Sequence, residues 1–356
     1  MSYIAVDYHK KYSYVTILDQ EGKCLKEGKV VNKKESLKSF IGKYSEGSEA
    51  VVEATWNWAV MYDWLEEIVD KVKLAHPAKV RAIAEAKIKT DKIDANVLAQ
   101  LLRCDLLPEA YVSDKETREV KNILRQRMYF VGMRTMLKNR LHIMLERHPE
   151  LTEEKRVIGT DLFSKKGMSW IRSLKLRGEE QGILERELRL LEEIDSKVKE
   201  SNLLVKRLGK KDERVQRVKT IPGMGDFFSL LVVTEIGDIS RFRDPKKLAA
   251  YAGLVPSTYS SGGKTYHGRL IKQGNKWIRW AMVEAVWPAI RCDFSLRCLY
   301  EKIKKRKRPN QAKVVVAKRL LTILYRVLKE NRNYEERPFN INSRLPLHPS
   351  GCYSFN

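Results

Sequence analysis

The first 31 residues leave little choice of fold. Ser2 to Tyr8, Tyr12 to Asp19 and Cys24 to Val31 are short runs of strand-forming residues, the second and third joined at Gln20-Glu21-Gly22. Glycine there supplies the positive φ that a tight turn often requires, so the three runs predict an antiparallel meander. The rhythm then changes. Asn32 with Glu35 three residues on fits a helix N-cap and its capping-box partner, opening a helix on which Leu37, Phe40 and Ile41 share a face. Glu49 to Ala54 reads as a strand, Trp58 to Val69 as a helix, Lys71 to Ala75 as a strand and Ala78 to Ala86 as a helix.

A meander followed by alternating helix and strand is the element order of an RNase H-like fold, α/β in class, with its first strand central and its fourth beside it. Both of those strands end in an acid, Asp7 and Glu53. Asp91 and Asp94, spaced by three, open the helix Ala95 to Arg103 on neighbouring positions of one face. Taken singly they have ordinary explanations: a cap for Asp91, a favourable helix N-terminal charge for Asp94, a solvent-facing strand end for Glu53. Gathered by one fold, four carboxylates repel one another and need a cation to stay ionised in a cleft. Mg²⁺, with its preference for hard oxygen ligands, is the expected ion.

A chain of 356 residues is long enough for two or three domains. Its 69 Lys and Arg against 45 Asp and Glu give a formal charge of +24, which points to a polyanionic partner, nucleic acid before membrane. No apolar run approaches the roughly 20 residues that span a bilayer, and no signal-peptide core precedes the first strand. The five cysteines are scattered, without zinc-knuckle spacing, so we expect a reduced, cytoplasmic protein in which helical cysteines such as Cys292 and Cys298 are small core residues; a metal site joining that pair to His267 is the remote alternative.

Beyond residue 115 the pattern is helical. Glu116 to Arg147 carries Val120, Leu124, Met128, Val131, Leu137, Leu141 and Met144 on one side, and Arg118, Lys121, Arg125, Arg127, Arg134, Lys138 and Arg140 on the other. Such a basic face is ordinarily solvated, but with this net charge Arg125, Arg134 and Lys138 become candidates for nucleic-acid backbone contact. A looser stretch from Pro149 to Arg177 leads to a second long helix, Glu179 to Leu208, with the seam Leu184, Leu188, Leu191 and Val198. The two predict an antiparallel coiled-coil hairpin. Ile221-Pro222-Gly223-Met224-Gly225 before an apolar helix is similar to a helix-hairpin-helix turn, in which amides near Gly223 and Gly225 receive a phosphate. Asp244-Pro245 caps a further helix. Residues 253–279 read as a polar loop whose serines are either inert or a nucleophile among cations such as Lys264 and Arg269. Trp277, Trp280 and Trp287 suit core packing, with base stacking the alternative. Lys302 to Arg308, six cations in seven residues with Lys304, Lys305 and Arg306 at its centre, suits phosphate binding, and the tail from Asn333 reads as loosely ordered.

Val6-Asp7-Tyr8-His9-Lys10, Val52-Glu53-Ala54-Thr55, Lys89-Thr90-Asp91-Lys92-Ile93-Asp94-Ala95, Ile221-Pro222-Gly223-Met224-Gly225, Gly253-Leu254-Val255-Pro256, Ser261-Gly262 and Gly274-Asn275 resemble, in order, the motifs of the DEDD insertion-sequence transposases, the one-hundred-ten family of mobile elements. The resemblance covers about residues 3–330. It implies a RuvC-like (RNase H fold) domain over 1–115, a helical coiled-coil domain over 116–215, a mostly helical transposase domain over 216–332 and a tail, 333–356. It further implies that Asp7, Glu53, Asp91 and Asp94 hold the metal and that Ser261, the serine before Gly262, joins covalently to DNA, with Ser260 the neighbouring candidate. A bridge (guide) RNA, donor and target DNA, and a dimer or tetramer acting on the prokaryotic nucleoid are the partners and setting it implies. Two positions depart from the family: Trp56 replaces the Gly of many relatives, and Ile271 stands where Ser is usual. The rival expectations are a metal-dependent junction nuclease in which water attacks, and a nonenzymatic RNA- or DNA-binding scaffold.

Overall fold

The computed structural model describes residues 1–55, 57–84, 90–151, 153–154, 158–159, 161–261, 263–271 and 273–336. Trp56, Lys89 and Gly262 from the motifs above, the end of the predicted helix at Ala86, and the tail beyond Glu336 lie outside them. Two compact units result, Met1–Ser113 and Asp114–Asn356.

The first unit is built on a five-stranded mixed sheet of order β3-β2-β1-β4-β5. Its strands are β1 (Ser2–Tyr8), β2 (Tyr12–Leu18), β3 (Cys24–Val31), β4 (Ser48–Glu53) and β5 (Lys71–Ala75). β1–β2 and β2–β3 are antiparallel, β1–β4 and β4–β5 parallel. The two-residue period of a strand explains how both faces are covered. Ile4, Val6, Ala50 and Val52 pack in one core with Leu37 and Ile41 of α1 (Lys34–Ile41) and Met61 and Leu65 of α2 (Trp58–Glu66). Ala5 and Val51 face the other way, onto Val80 of α3 (Pro77–Ile83) and Leu98, Ala99 and Leu102 of α4 (Asp91–Arg103). Odd-numbered positions of β1 and β4 thus point to α4, and Asp7 and Glu53 are odd-numbered.

One local expectation fails. Lys33, not Asn32, occupies the N-cap position of α1, and no side chain caps the helix. Asn32 is spent elsewhere: its Oδ1 accepts from the Ser13 hydroxyl (2.7 Å) and its Nδ2 donates to the His9 carbonyl (2.7 Å), fastening β3 to the β1–β2 turn. Tertiary partners outbid the nearby helix amides.

The second unit is mostly helical. Among the described residues its helices are α5 (Lys115–Glu146), α6 (Lys165–Ser173), α7 (Glu179–Lys211), α8 (Glu213–Lys219), α9 (Asp226–Ile236), α10 (Pro245–Tyr251), α11 (Lys276–Glu284), α12 (Val286–Cys292), α13 (Phe294–Lys304) and α14 (Pro309–Lys329). Pairs Arg127–Asn202, Arg134–Asp195 and Arg140–Glu187 run in opposite directions along α5 and α7, the signature of an antiparallel hairpin. Within residues 161–177 the chain forms a helix, α6, that its composition did not suggest. Ser164 caps α6 by accepting from the Gly167 amide, and Gly167 is required because a Cβ there would lie 2.2 Å from the Leu162 carbonyl oxygen. Leu162 and Ile171 thereby join Leu141, Leu145, Leu184 and Leu188 in one core.

Leu124 of α5 and Val205 of α7 lie in the same core as Leu231 and Val232 of α9, Met282 of α11 and Leu320 of α14, all within the second unit. Cys292 is exposed at the end of α12 rather than being a core residue, since the helix stops as Asp293 caps α13. Residues 253–279 are not merely loop: β6 (Pro256–Ser261) and β7 (Lys264–Leu270) pair antiparallel, with Tyr259 opposite Tyr266 and Ser261 opposite Lys264.

Candidate functional site

In the first unit, the register that pairs Val6 with Val52 leaves Asp7 and Glu53 side by side at the ends of β1 and β4. Thr90 caps α4 by accepting from the Ile93 amide, so Asp91 is the first helical residue and not the cap. Its carboxylate meets Asp7 through an intermediary that sequence reasoning passed over: His9 Nε2 lies 3.0 Å from Asp7 Oδ2 and 3.2 Å from Asp91 Oδ1. Tyr12 donates its hydroxyl to Asp91 Oδ2 at 2.7 Å. A turn that brings β2 back beside β1 explains both contacts, and the sequence signal for it was the short spacing Asp7-Tyr8-His9-Lys10-Lys11-Tyr12.

Burial pushes the Asp7 carboxyl up, with Asp94 and Asp91 adding to the effect and His9 opposing it. Asp91 is held below the ordinary carboxylate range, first by the Tyr12 hydrogen bond and also by His9 and Lys29, against desolvation. The two acids are therefore unequal. One ligand atom each from Asp7, His9 and Asp91 lies within 4.8 Å of the other two, close enough to share one divalent ion. Among the described residues Glu53 and Asp94 stand outside that group of three, Asp94 near enough to act electrostatically on Asp7 and Glu53 on the same sheet face. Two carboxylates and an imidazole with mutual repulsion to relieve fit a divalent metal.

In the second unit the predicted nucleic-acid contacts separate into two kinds. Arg125 pairs with Glu235 and stacks on Trp277, its guanidinium carbon 3.9 Å from the ring centre. Arg134 pairs with Asp195 at 3.4 Å, and the Lys138 ammonium lies 4.6 Å from the Phe163 ring centre. These cations of the long helix have partners within the chain. Glu235 is 4% exposed and also accepts from Asn275 Nδ2 at 2.8 Å, while Asn275 Oδ1 caps α11 by accepting from the Trp277 and Ile278 amides. Trp280 packs against Phe227 and Phe228, and Trp287 against Tyr300. Gly223, at φ +84°, is demanded by packing, for a Cβ would lie 2.3 Å from the Ala285 carbonyl oxygen. Gly225 precedes α9 with open space around it, but Asp226, the first residue of that helix, already sets an acid beside those amides and pairs with Lys219 at 2.5 Å. By contrast Arg269, Lys304, Lys305 and Arg306 are exposed. Ser261 is exposed at the end of β6, and Lys264 opens β7 across from it. No helix among the described residues is long and apolar enough to cross a membrane.

Comparison with known proteins agrees in both halves. Residues 4–149 match the DEDD transposase family of IS110 type, and residues 215–301 match the family described as Transposase IS116/IS110/IS902. The chain is 26% identical over 273 residues, 74% of its length and 72% of the relative's, to the transposase for insertion sequence element IS1111A of Coxiella burnetii. It is 24% identical over 276 residues (76% and 80%) to a probable family 20 transposase of Pseudomonas aeruginosa. To the pilin gene-inverting protein of Moraxella bovis it is 25% identical over 297 residues (81% and 82%). The protein is a DNA transposase or recombinase, an enzyme acting on DNA strands. Both matched models describe insertion-element transposases of the IS110/IS116 type, and a DEDD domain of that kind implies a divalent metal.

Proposed function

We propose that the chain is an RNA-guided recombinase of a mobile element that exchanges DNA strands through a phosphoserine intermediate at Ser261. The observation that carries the reading is the setting of that serine: an exposed hydroxyl at the end of a paired strand, in a unit whose exposed cations include Arg269. Its Oγ attacks a DNA phosphorus, an Oγ–P bond forms, the P–O bond to one deoxyribose breaks, and the proton ends on the released deoxyribose hydroxyl. A hydroxyl of the second DNA reverses the step and restores the serine, so no bond energy is lost to water. Asp7 and Asp91, with Glu53 and Asp94 beside them in an RNase H-like domain, would hold Mg²⁺, which when bound neutralises phosphate charge. Support for the RNase H-like assignment is the strand order β3-β2-β1-β4-β5 with carboxylates on the central pair.

Donor and target DNA are the substrates; a bridge RNA selects them by base pairing, leaving the protein to read backbone and shape. The net charge of +24 suits such a load of phosphate. Backbone contact is assigned to Lys264, Arg269, Lys304, Lys305 and Arg306, with the Gly223–Gly225 turn and the cations of α5 subordinate because of the intramolecular partners described above. Two DNA partners call for a dimer or tetramer, working in the cytoplasm at the nucleoid.

A second reading rests on the Asp7–His9–Asp91 group, which would equally serve a nuclease in which water attacks. Denatured reactions on a suicide DNA substrate separate the two. Protein-linked DNA, mapped to Ser261 and abolished by Ser261→Ala with binding retained, supports the recombinase. Cleavage without any adduct in the unmutated protein returns the chemistry to water, and metal-independent binding with no cleavage at all leaves only a scaffold.

A further inference from the structure

The metal group of the first unit contains one donor that no four-acid scheme includes. His9 Nε2 is a single nitrogen facing two carboxylate oxygens, at 3.0 and 3.2 Å. A neutral imidazole has one proton to offer at that nitrogen, so it satisfies one acceptor fully and the other poorly; without that proton its lone pair meets both anions. The same spacing is what ligand atoms at adjacent corners of an octahedron show. With metal–ligand bonds of about 2.1 Å, adjacent donors stand about 3.0 Å apart.

The ring is also held in place by its backbone. The His9 amide donates to the Tyr12 carbonyl at 3.1 Å, and the His9 carbonyl accepts from Asn32 Nδ2 at 2.7 Å, which is itself tied to Ser13. The Tyr12 ring lies 5.4 Å from the imidazole, centre to centre. A solvent-facing histidine on a free turn would have no need of three such fixings, whereas a ligand gains affinity from every degree of freedom removed beforehand.

We propose that His9 Nε2 is a direct ligand of the divalent ion bound by Asp7 and Asp91, making the centre a mixed oxygen–nitrogen site that prefers Mn²⁺ to Mg²⁺. Imidazole nitrogen suits first-row transition ions, while Mg²⁺ is served by oxygen and water. The Nδ1 atom keeps the ring proton when Nε2 ligates. Asn32 is then a positioning residue, acting on the ion only through the backbone of His9. The inference rests on the reading that Asp7 and Asp91 bind metal at all.

The test uses Mn²⁺ alone with the full-length protein. Electron spin-echo envelope modulation should show coupling to a histidine ¹⁴N nucleus in the unmutated protein, and His9→Gln should abolish the coupling while Mn²⁺ still binds, about tenfold or more weakly. Mg²⁺ affinity, measured by competition, should change less, so the Mn²⁺/Mg²⁺ ratio falls. Asn32→Ala should lower the Mn²⁺ affinity with the ¹⁴N coupling retained. Mn²⁺ bound in an Asp7-dependent manner with no ¹⁴N coupling, or with coupling that survives His9→Gln, overturns the assignment of His9 while leaving the carboxylate site standing. Failure of the unmutated protein to bind Mn²⁺ at millimolar concentration overturns the metal reading itself. The side chain of His9 is 41% exposed, so the substitution is expected to leave the fold intact, and a melting curve checks this.

Discussion

Arg125 separates a structural cation from a nucleic-acid contact. In Arg125→Met the buried Glu235 loses its guanidinium, Trp277 loses the stacked cation, and the carboxylate keeps the amide of Asn275 and the electrostatic attraction of Lys121. Removing one partner of a buried ion pair costs about 3–5 kcal/mol because the other charge is left behind. In a unit of this size each kcal/mol corresponds to about 2–4 °C, so the transition of the second unit should fall by about 6–20 °C. Arg125→Met combined with Glu235→Gln removes both charges and keeps an acceptor for Asn275; the double variant should recover most of the loss. Calorimetry of the unmutated protein, Arg125→Met, Glu235→Gln and the double variant gives the cycle, and DNA binding at several salt concentrations gives the second reading. If Arg125→Met melts with the unmutated protein and instead lowers the slope of log affinity against log salt by about 0.9, Arg125 holds a phosphate and the structural argument is wrong.

Gly223→Ala should destabilise the second unit by at least about 2 kcal/mol, since φ is +84° and the new methyl would strike the Ala285 carbonyl, whereas Gly225→Ala, at φ −80° in open space, should stay within about 1 kcal/mol of the unmutated protein by denaturant titration. A loss of DNA affinity in Gly225→Ala without loss of stability would restore the turn as a phosphate site. Asp114 caps α5 by accepting from the Thr117 amide and hydroxyl, which hold its carboxyl below the ordinary range. A depressed folded-state value means the stabilisation is present above the unfolded carboxylate range and is lost as pH falls through the folded value. Asp114→Ala should therefore cost about 1 kcal/mol at pH 7 and progressively less on acidification, and a pH-independent difference would refute the capping account.

Local rules sufficed where one residue type has few options. The three strands of the meander, the cap at Asp244 and the two long helices were legible because turn glycine, capping oxygen and apolar period act over a handful of neighbouring residues. The parity that sends Asp7 and Glu53 to one face was likewise implicit in the two-residue repeat. What the sequence could not decide is which of several partners a polar side chain would take. Asn32 had a suitable capping position and was drawn instead to Ser13 and His9, because folding brought stronger fixed partners to it. Arg125 and Arg134 made a basic stripe by composition, yet α7 and α9 supplied acids and α11 a ring to receive them. His9 had no motif of its own. Its place between two carboxylates exists only because β2 returns beside β1 while α4 begins under both, a meeting of residues 7, 9 and 91 that distance along the chain conceals and the sheet makes inevitable.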